Sequence, residues 1–141
     1  MTDKPSDDNI NDDNDGTGTN ALWGGRFAGG ASDIMRRINA SIFFDRRLYR
    51  QDIAGSRAHC NMLMAQGIIN AGDGHAILKG LYQVEAYITA CTFDYYAAKE
   101  DILMHVDARL WELIGESSRL LPPARTRHDQ VALAFRLCLL A

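Results

Sequence analysis

The sequence predicts an all-α fold, on three observations. Apolar residues recur at steps of three and four in separate stretches, residues suited to start or stop a helix bound those stretches, and no β-hairpin turn signal separates alternating runs. No internal repeat is visible, and 141 residues suit one domain that buries roughly two thirds of its unfolded surface.

The first 20 residues, "MTDKPSDDNINDDNDGTGTN", hold six aspartates against Lys4, a local charge of −5 that leaves +2 for the remainder of a chain whose net charge is −3. Past Met1, Ile10 is their one large apolar side chain, too little to offset the entropy of ordering, so residues 1–20 read as a disordered, solvating acidic tail. The segment has neither the apolar run of a secretory signal nor the arginine-rich amphipathic pattern of a transit peptide, and a cytoplasmic location is expected. "ALWGGRFAGGASD" combines four glycines with Trp23 and Phe27, which predicts an irregular segment anchored by aromatics.

Helix one is expected from Asp45, as N-cap, to Gly67, as stop, with Tyr49, Ile53, Cys60, Leu63 and Met64 near one face. Helix two has Asn70 as N-cap and Asp73 in its first turn, with Ile77, Leu81, Val84, Ile88 and Cys91 repeating in register. Gly72, Gly74 and Gly80 weaken it by up to ~1 kcal/mol each. Helix three repeats Ile102, Val106, Leu110 and Leu113, opens on acids and closes at Gly115, the polarity the helix dipole favours. After the loop "ESSRLLPPARTR", helix four runs from about Asp129 to the C-terminus, with Val131, Phe135, Cys138 and Leu139 on one face. "VALAFRLCLLA" is apolar on most sides, and such a helix expects to be buried.

The apolar fraction of 47% and charged fraction of 23% are ordinary for a globular protein, and the net acidity supplies no basic surface for nucleic acid. The late apolar run is 11 residues long and contains Arg136, against the ~20 that span a bilayer, so no membrane span is expected. Cys60, Cys91 and Cys138 lie far apart in apolar stretches and read as buried reduced thiols. No metal is expected, since His59 and Cys60 point to different helix faces. His59 and His75 read as helix-surface residues, and Trp23 and Trp111 as packing aromatics. No G-x-S-x-G, P-loop or H-E-x-x-H occurs.

The blocks "LWGGRF", "NASIFFDRRLYRQDIAGSRAH", "QGII", "EDI", "ELIG" and "RTRHDQVA", in that order from Ala21 to Ala141, resemble the N-terminal region of argininosuccinate lyase, in the aspartase/fumarase superfamily. The resemblance implies an N-terminal helical lyase domain over residues 21–128 and the start of a central bundle helix over 129–141. It also implies a homotetramer of arginine biosynthesis that cleaves argininosuccinate to arginine and fumarate without a cofactor. In that β-elimination a base removes a proton beside a carboxylate, and an acid protonates the departing guanidino nitrogen, so carboxylate-binding groups must be fixed in place.

By resemblance, the substrate-binding residues carried over are Ser41 in "NAS", the neighbouring Asp45, and Asp101 in the block the family writes E-D-I-H. Leu103 stands where that block has histidine. His105 lies two positions on, facing elsewhere, and reads as a surface or interface histidine. "PPARTRHDQ" corresponds to the family's H-T-G-R-S-R-N-D-Q, which assigns Arg125, Arg127, His128 and Asp129 to the site. Here Pro122, Pro123, Ala124, Thr126 and His128 replace histidine, threonine, glycine, serine and asparagine. Alanine is less able than glycine to adopt φ > 0, and Pro123 removes an N–H that could bind an anion. Arg127 can still hold a carboxylate bidentately at a helix N-terminus.

The family's T-H segment and its G-S-S-x-M-P-x-K-x-N-P loop, the sources of its proton-transfer groups, have no counterpart in these residues. Three readings follow. The first is a truncated or degenerate lyase without activity of its own. The second is a non-catalytic helical interaction module docking on a full-length lyase, and the third is an active lyase completed by a separate or frameshifted segment.

Overall fold

A computed structural model describes residues 10–11, 33–96 and 99–141. The acidic tail and the glycine-rich segment expected before Asp33 lie outside the described residues, apart from Ile10 and Asn11. Those two form a short strand, β1, paired in parallel with β2, Tyr95–Tyr96. Among the described residues this two-residue pairing sits beside a helical frame, as the periodicity predicts.

Six helices follow in order: α1, Asp33–Asn39; α2, Ile42–Asp45; α3, Tyr49–Ala65; α4, Ala71–Thr89; α5, Ile102–Ile114; and α6, Arg127–Leu140. Short 3-10 segments occupy Arg46–Leu48 and Gly115–Leu120. α3 lies against α4 and α6, and α4 against α5. One core runs between them, with Ile53, Cys60 and Leu63 of α3, Ile77, Leu81 and Val84 of α4, and Val106 and Leu110 of α5 all buried. Ile42 and Leu121 close it at its ends.

Helix one departs from expectation at its start. Asp45 does not cap it: the chain turns through α2 and the 3-10 segment before α3, whose N-terminus has no side-chain cap. The Asp45 carboxylate is used elsewhere, on the N-terminus of α5. The end of α3 is as expected. Gly67 takes φ +67°, and the N–H groups of Ile68 and Gly67 donate to the carbonyls of Leu63 and Met64 at 2.9 and 3.0 Å, a Schellman stop.

Helix two starts as predicted, with the Asn70 side chain accepting from the Asp73 N–H at 2.8 Å. Its register holds through Ile88, but Cys91 lies beyond the helix end and is exposed. Cys91 takes the left-handed stop position, φ +54°, where its side chain points away from the core. Cys138 is likewise exposed, on the outer face of α6, so only Cys60 is the buried thiol expected. Gly80 marks a close approach rather than a weakness: a Cβ there would lie 2.6 Å from Leu110 Cδ1.

The last helix begins at Arg127, two residues earlier than expected. Thr126 and Asp129 form a reciprocal capping box, which fixes that start. Its packed side is Ala134, 4% exposed, while Val131, Phe135 and Leu139 face outward at 50%, 56% and 70%. Leu133 reaches Gly55 of α3, where a Cβ would stand 2.9 Å from its Cδ2, so the small residues set which face seats on α3. No described helix is long and apolar enough to cross a membrane.

Candidate functional site

The N-terminus of α5 gathers two carboxylates from different parts of the chain. Asp101 caps the helix by accepting the Met104 N–H at 2.8 Å, and Asp45 accepts the Ile102 N–H at 3.2 Å. Acceptors at this end satisfy orphan N–H groups and complement the helix dipole. The second oxygen of Asp45 accepts the Ser41 hydroxyl at 2.5 Å, which fixes Ser41 one helical turn before it. Burial pushes the Asp45 carboxyl up from its ordinary range; the Ser41 hydrogen bond pulls it back, and neighbouring Asp101 raises it further.

The backbone that delivers Asp101 is strained. Glu100 takes φ +47°, and in that geometry its carbonyl accepts the N–H groups of Ser41 and Ile42 at 2.8 and 3.0 Å. One residue therefore ties the start of α2 to the start of α5. From the opposite side Arg127, in the first turn of α6, donates to Asp101 at 2.8 Å. Ser41, Asp45, Asp101 and Arg127 thus converge.

Arg125 sits in an adjoining group. It donates to the buried Ser56 hydroxyl at 2.8 Å, and its positive charge acts on Asp52 and Asp107. Asp52 is 4% exposed, and loss of water raises its carboxyl to about 7, with Asp107 adding to the rise and Arg125 opposing it. Burial lowers the Arg125 guanidinium, while Asp52 and Asp107 hold it up. Loss of water raises the Asp107 carboxyl while Arg125 and Arg127 pull it back, so Asp107 links the two groups electrostatically.

The loop between Leu121 and α6 carries both arginines. Ala124 adopts φ +60°, the conformation in which the family's glycine is at ease, and the alanine holds it at a cost. The turn closes through the Arg125 N–H to the Pro122 carbonyl at 3.1 Å. His59 is not the plain surface residue expected: its Nε2–H donates to the Pro123 carbonyl at 2.8 Å. A cleft of about 330 Å³ opens beside this loop between α3 and α6, lined by Gln51, Asp52, His59, Arg125 and Gln130 among others.

The remaining assigned residues do not join the convergence. Asp129 accepts from the Thr126 hydroxyl and N–H at 2.7 and 3.0 Å, and these bonds lower its pKa. It is first a cap of α6. His128 is exposed on the far side of the same turn. Leu103, in the family's histidine position, is 5% exposed and belongs to the core.

His105 corrects the surface reading. It is 1% exposed, with Nδ1–H donating to the Asp101 carbonyl at 2.7 Å and Nε2 accepting the Tyr96 N–H at 2.9 Å. Both partners require the neutral ring, and burial lowers its pKa. Asp52, Ser56 and His59 were not singled out from sequence as a set. Their spacing of four and three puts three polar groups on one side of α3, a signal that was present. Among the described residues, no three His, Cys, Asp or Glu side chains are placed to hold a metal ion.

An all-helical fold with an arginine-bearing loop leading into its last helix defines a class on which comparison agrees: residues 25–141 match the family described as Lyase, and the chain belongs to it. The match within that class is specific. The chain is 50% identical over 137 residues to the argininosuccinate lyase of Jannaschia sp. (strain CCS1), a span of 97% of this chain and 29% of that protein.

Proposed function

We propose that this chain forms the substrate-gripping N-terminal part of an argininosuccinate lyase, acting in the cytoplasm within a homotetramer of arginine biosynthesis. The observation that carries the reading is the convergence of Ser41, Asp45, Asp101 and Arg127 at the meeting point of α2, α5 and α6. Its charge pattern fits a ligand of both signs. Arg127, with Arg125 behind it, offers planar donors to a carboxylate, and the excess of aspartates suits a guanidinium or ammonium group. Argininosuccinate carries all three.

The same geometry supports binding without turnover by this chain alone. A β-elimination needs a positioned proton acceptor; the Asp45 and Asp101 carboxylates already accept backbone N–H and Arg127 donors, and none of the four histidines is free at the convergence. His105 has both nitrogens engaged, His59 is bonded to Pro123, and His75 and His128 are exposed elsewhere. Fumarate release from argininosuccinate, followed by ultraviolet absorbance, is expected to stay at background with the purified chain. Steady turnover would overturn the binding-only reading.

A second reading, a non-catalytic module docking on a full-length lyase, is favoured by the outward face of α6, where Phe135 and Leu139 are 56% and 70% exposed. It requires co-elution with such a lyase and a change in that enzyme's rate; separate elution excludes it.

A further inference from the structure

α3 packs its apolar side, Ile53, Cys60 and Leu63, into the core, and two of its polar residues, Ser56 and His59, reach the arginine loop. Ser56, 2% exposed, accepts Arg125 at 2.8 Å, and His59, three residues on, donates from Nε2 to the Pro123 carbonyl at 2.8 Å. The two attachments bracket Ala124, whose φ of +60° costs a non-glycine residue energy and persists only where surrounding contacts enforce it. Pro122 and Pro123 stiffen the approach, and Thr126 ends the loop by capping α6. Arg127 is the first residue of that helix, so its direction toward Asp101 is inherited from the loop.

We propose that Ser56 and His59 are positioning residues, a two-point clamp on α3 that holds the 122–126 loop in its strained turn and so aims Arg127 at the convergence with Asp101. His59 acts as a donor to a backbone carbonyl. A side chain of similar reach with an N–H can replace it, whereas an apolar one cannot. Ser56 acts by anchoring the Arg125 guanidinium, which would otherwise be half-buried beside Asp52 without its hydrogen-bond acceptor.

The inference rests on Arg127 facing substrate only for its functional consequence; the clamp itself is read from the loop. Trypsin reports the loop directly, because the Arg125–Thr126 bond can be cut only when the turn opens, and cleavage then tracks the open population. In the full chain, Ser56→Ala and His59→Leu are each expected to speed cleavage after Arg125 by about five- to tenfold, the loss of one attachment. Cleavage after Lys79, in the middle of α4, needs wider unfolding and should rise by no more than the same factor. His59→Gln should restore the parent rate after Arg125. Parent-rate cleavage after Arg125 in both Ser56→Ala and His59→Leu, acceleration at Lys79 greater than that after Arg125, or failure of His59→Gln to rescue would each overturn the clamp. Titration of the same variants with argininosuccinate separates the two readings. Faster loop cleavage with weakened binding supports both. Faster loop cleavage in the variants, where the parent chain itself binds no argininosuccinate, supports the clamp and removes the substrate reading.

Discussion

Replacing Ala124 by glycine should stabilise this chain, although glycine normally weakens a fold. The residue sits at φ +60°, where the Cβ of an L-residue crowds the backbone at a cost of roughly 1–2 kcal/mol. Glycine removes that crowding but gives the unfolded chain more freedom, which costs roughly 0.4–1 kcal/mol. The difference favours Ala124→Gly by about 0.5–1 kcal/mol. For a domain of this size that corresponds to a rise in Tm of about 2–4 °C. Thermal unfolding followed by circular dichroism measures it, with Ala86→Gly as the opposite control. Ala86 is exposed within α4 at helical geometry, where the change should cost about 1 kcal/mol. If Ala124→Gly lowers Tm as Ala86→Gly does, the strained turn at Ala124 is wrong, and the clamp argument loses its reason.

Two further substitutions test the buried polar groups. Asp52 is raised from 3.8 to about 7, so it holds its proton longer folded than unfolded. Its favourable contribution is complete below pH 3.8 and is lost as pH rises to about 7, with a ceiling of about 4 kcal/mol. Asp52→Asn should therefore raise Tm relative to the parent at about pH 8 and much less at about pH 4; an equal effect at both would show that its proton is not involved. His105 shifts the other way, below 6.5. The folded state refuses a proton that the unfolded state accepts, so its contribution is intact above pH 6.5 and declines as pH falls toward the lowered folded value. His105→Leu should flatten that decline and cost about 1–3 kcal/mol at neutral pH, because the Tyr96 N–H loses its acceptor. A neutral-pH Tm equal to the parent's would contradict the hydrogen-bonded core histidine.

Much of the helical frame was legible because its signals are local. Asn70 and Gly67 act on backbone groups within a few residues of themselves, and the apolar period from Ile77 to Ile88 needs only a core to face. The failures involve partners distant in sequence. Asp45 has the chemistry of a cap and does act on a helix N-terminus, but on that of α5, 57 residues away. His105 reads as a surface residue from its position on an amphipathic helix. Only the packing of Tyr96 and the Asp101 carbonyl against its two nitrogens makes burial tolerable. On α6 the apolar count could not say which side seats on α3, since Ala134 and Leu133 are chosen by the room left at Gly55.

The candidate site divides in the same way. Ser41, Asp45, Asp101 and Arg127 were reached through ordered blocks resembling a family, and the fold brings them together. Asp129 and His128 were carried over from the same signature, but Asp129 is taken up by the capping box with Thr126 and His128 is exposed. Asp52, Ser56 and His59 carry no motif of their own; their function as a stripe becomes visible only once the loop lies against them.

Whether the convergence around Arg127 grips argininosuccinate is decided by isothermal titration of the chain with that compound, beside Arg127→Ala. Measurable heat of binding is expected with the parent and its loss in Arg127→Ala, with the variant still folded by circular dichroism. No binding by the parent, or binding that Arg127→Ala leaves unchanged, would contradict that grip.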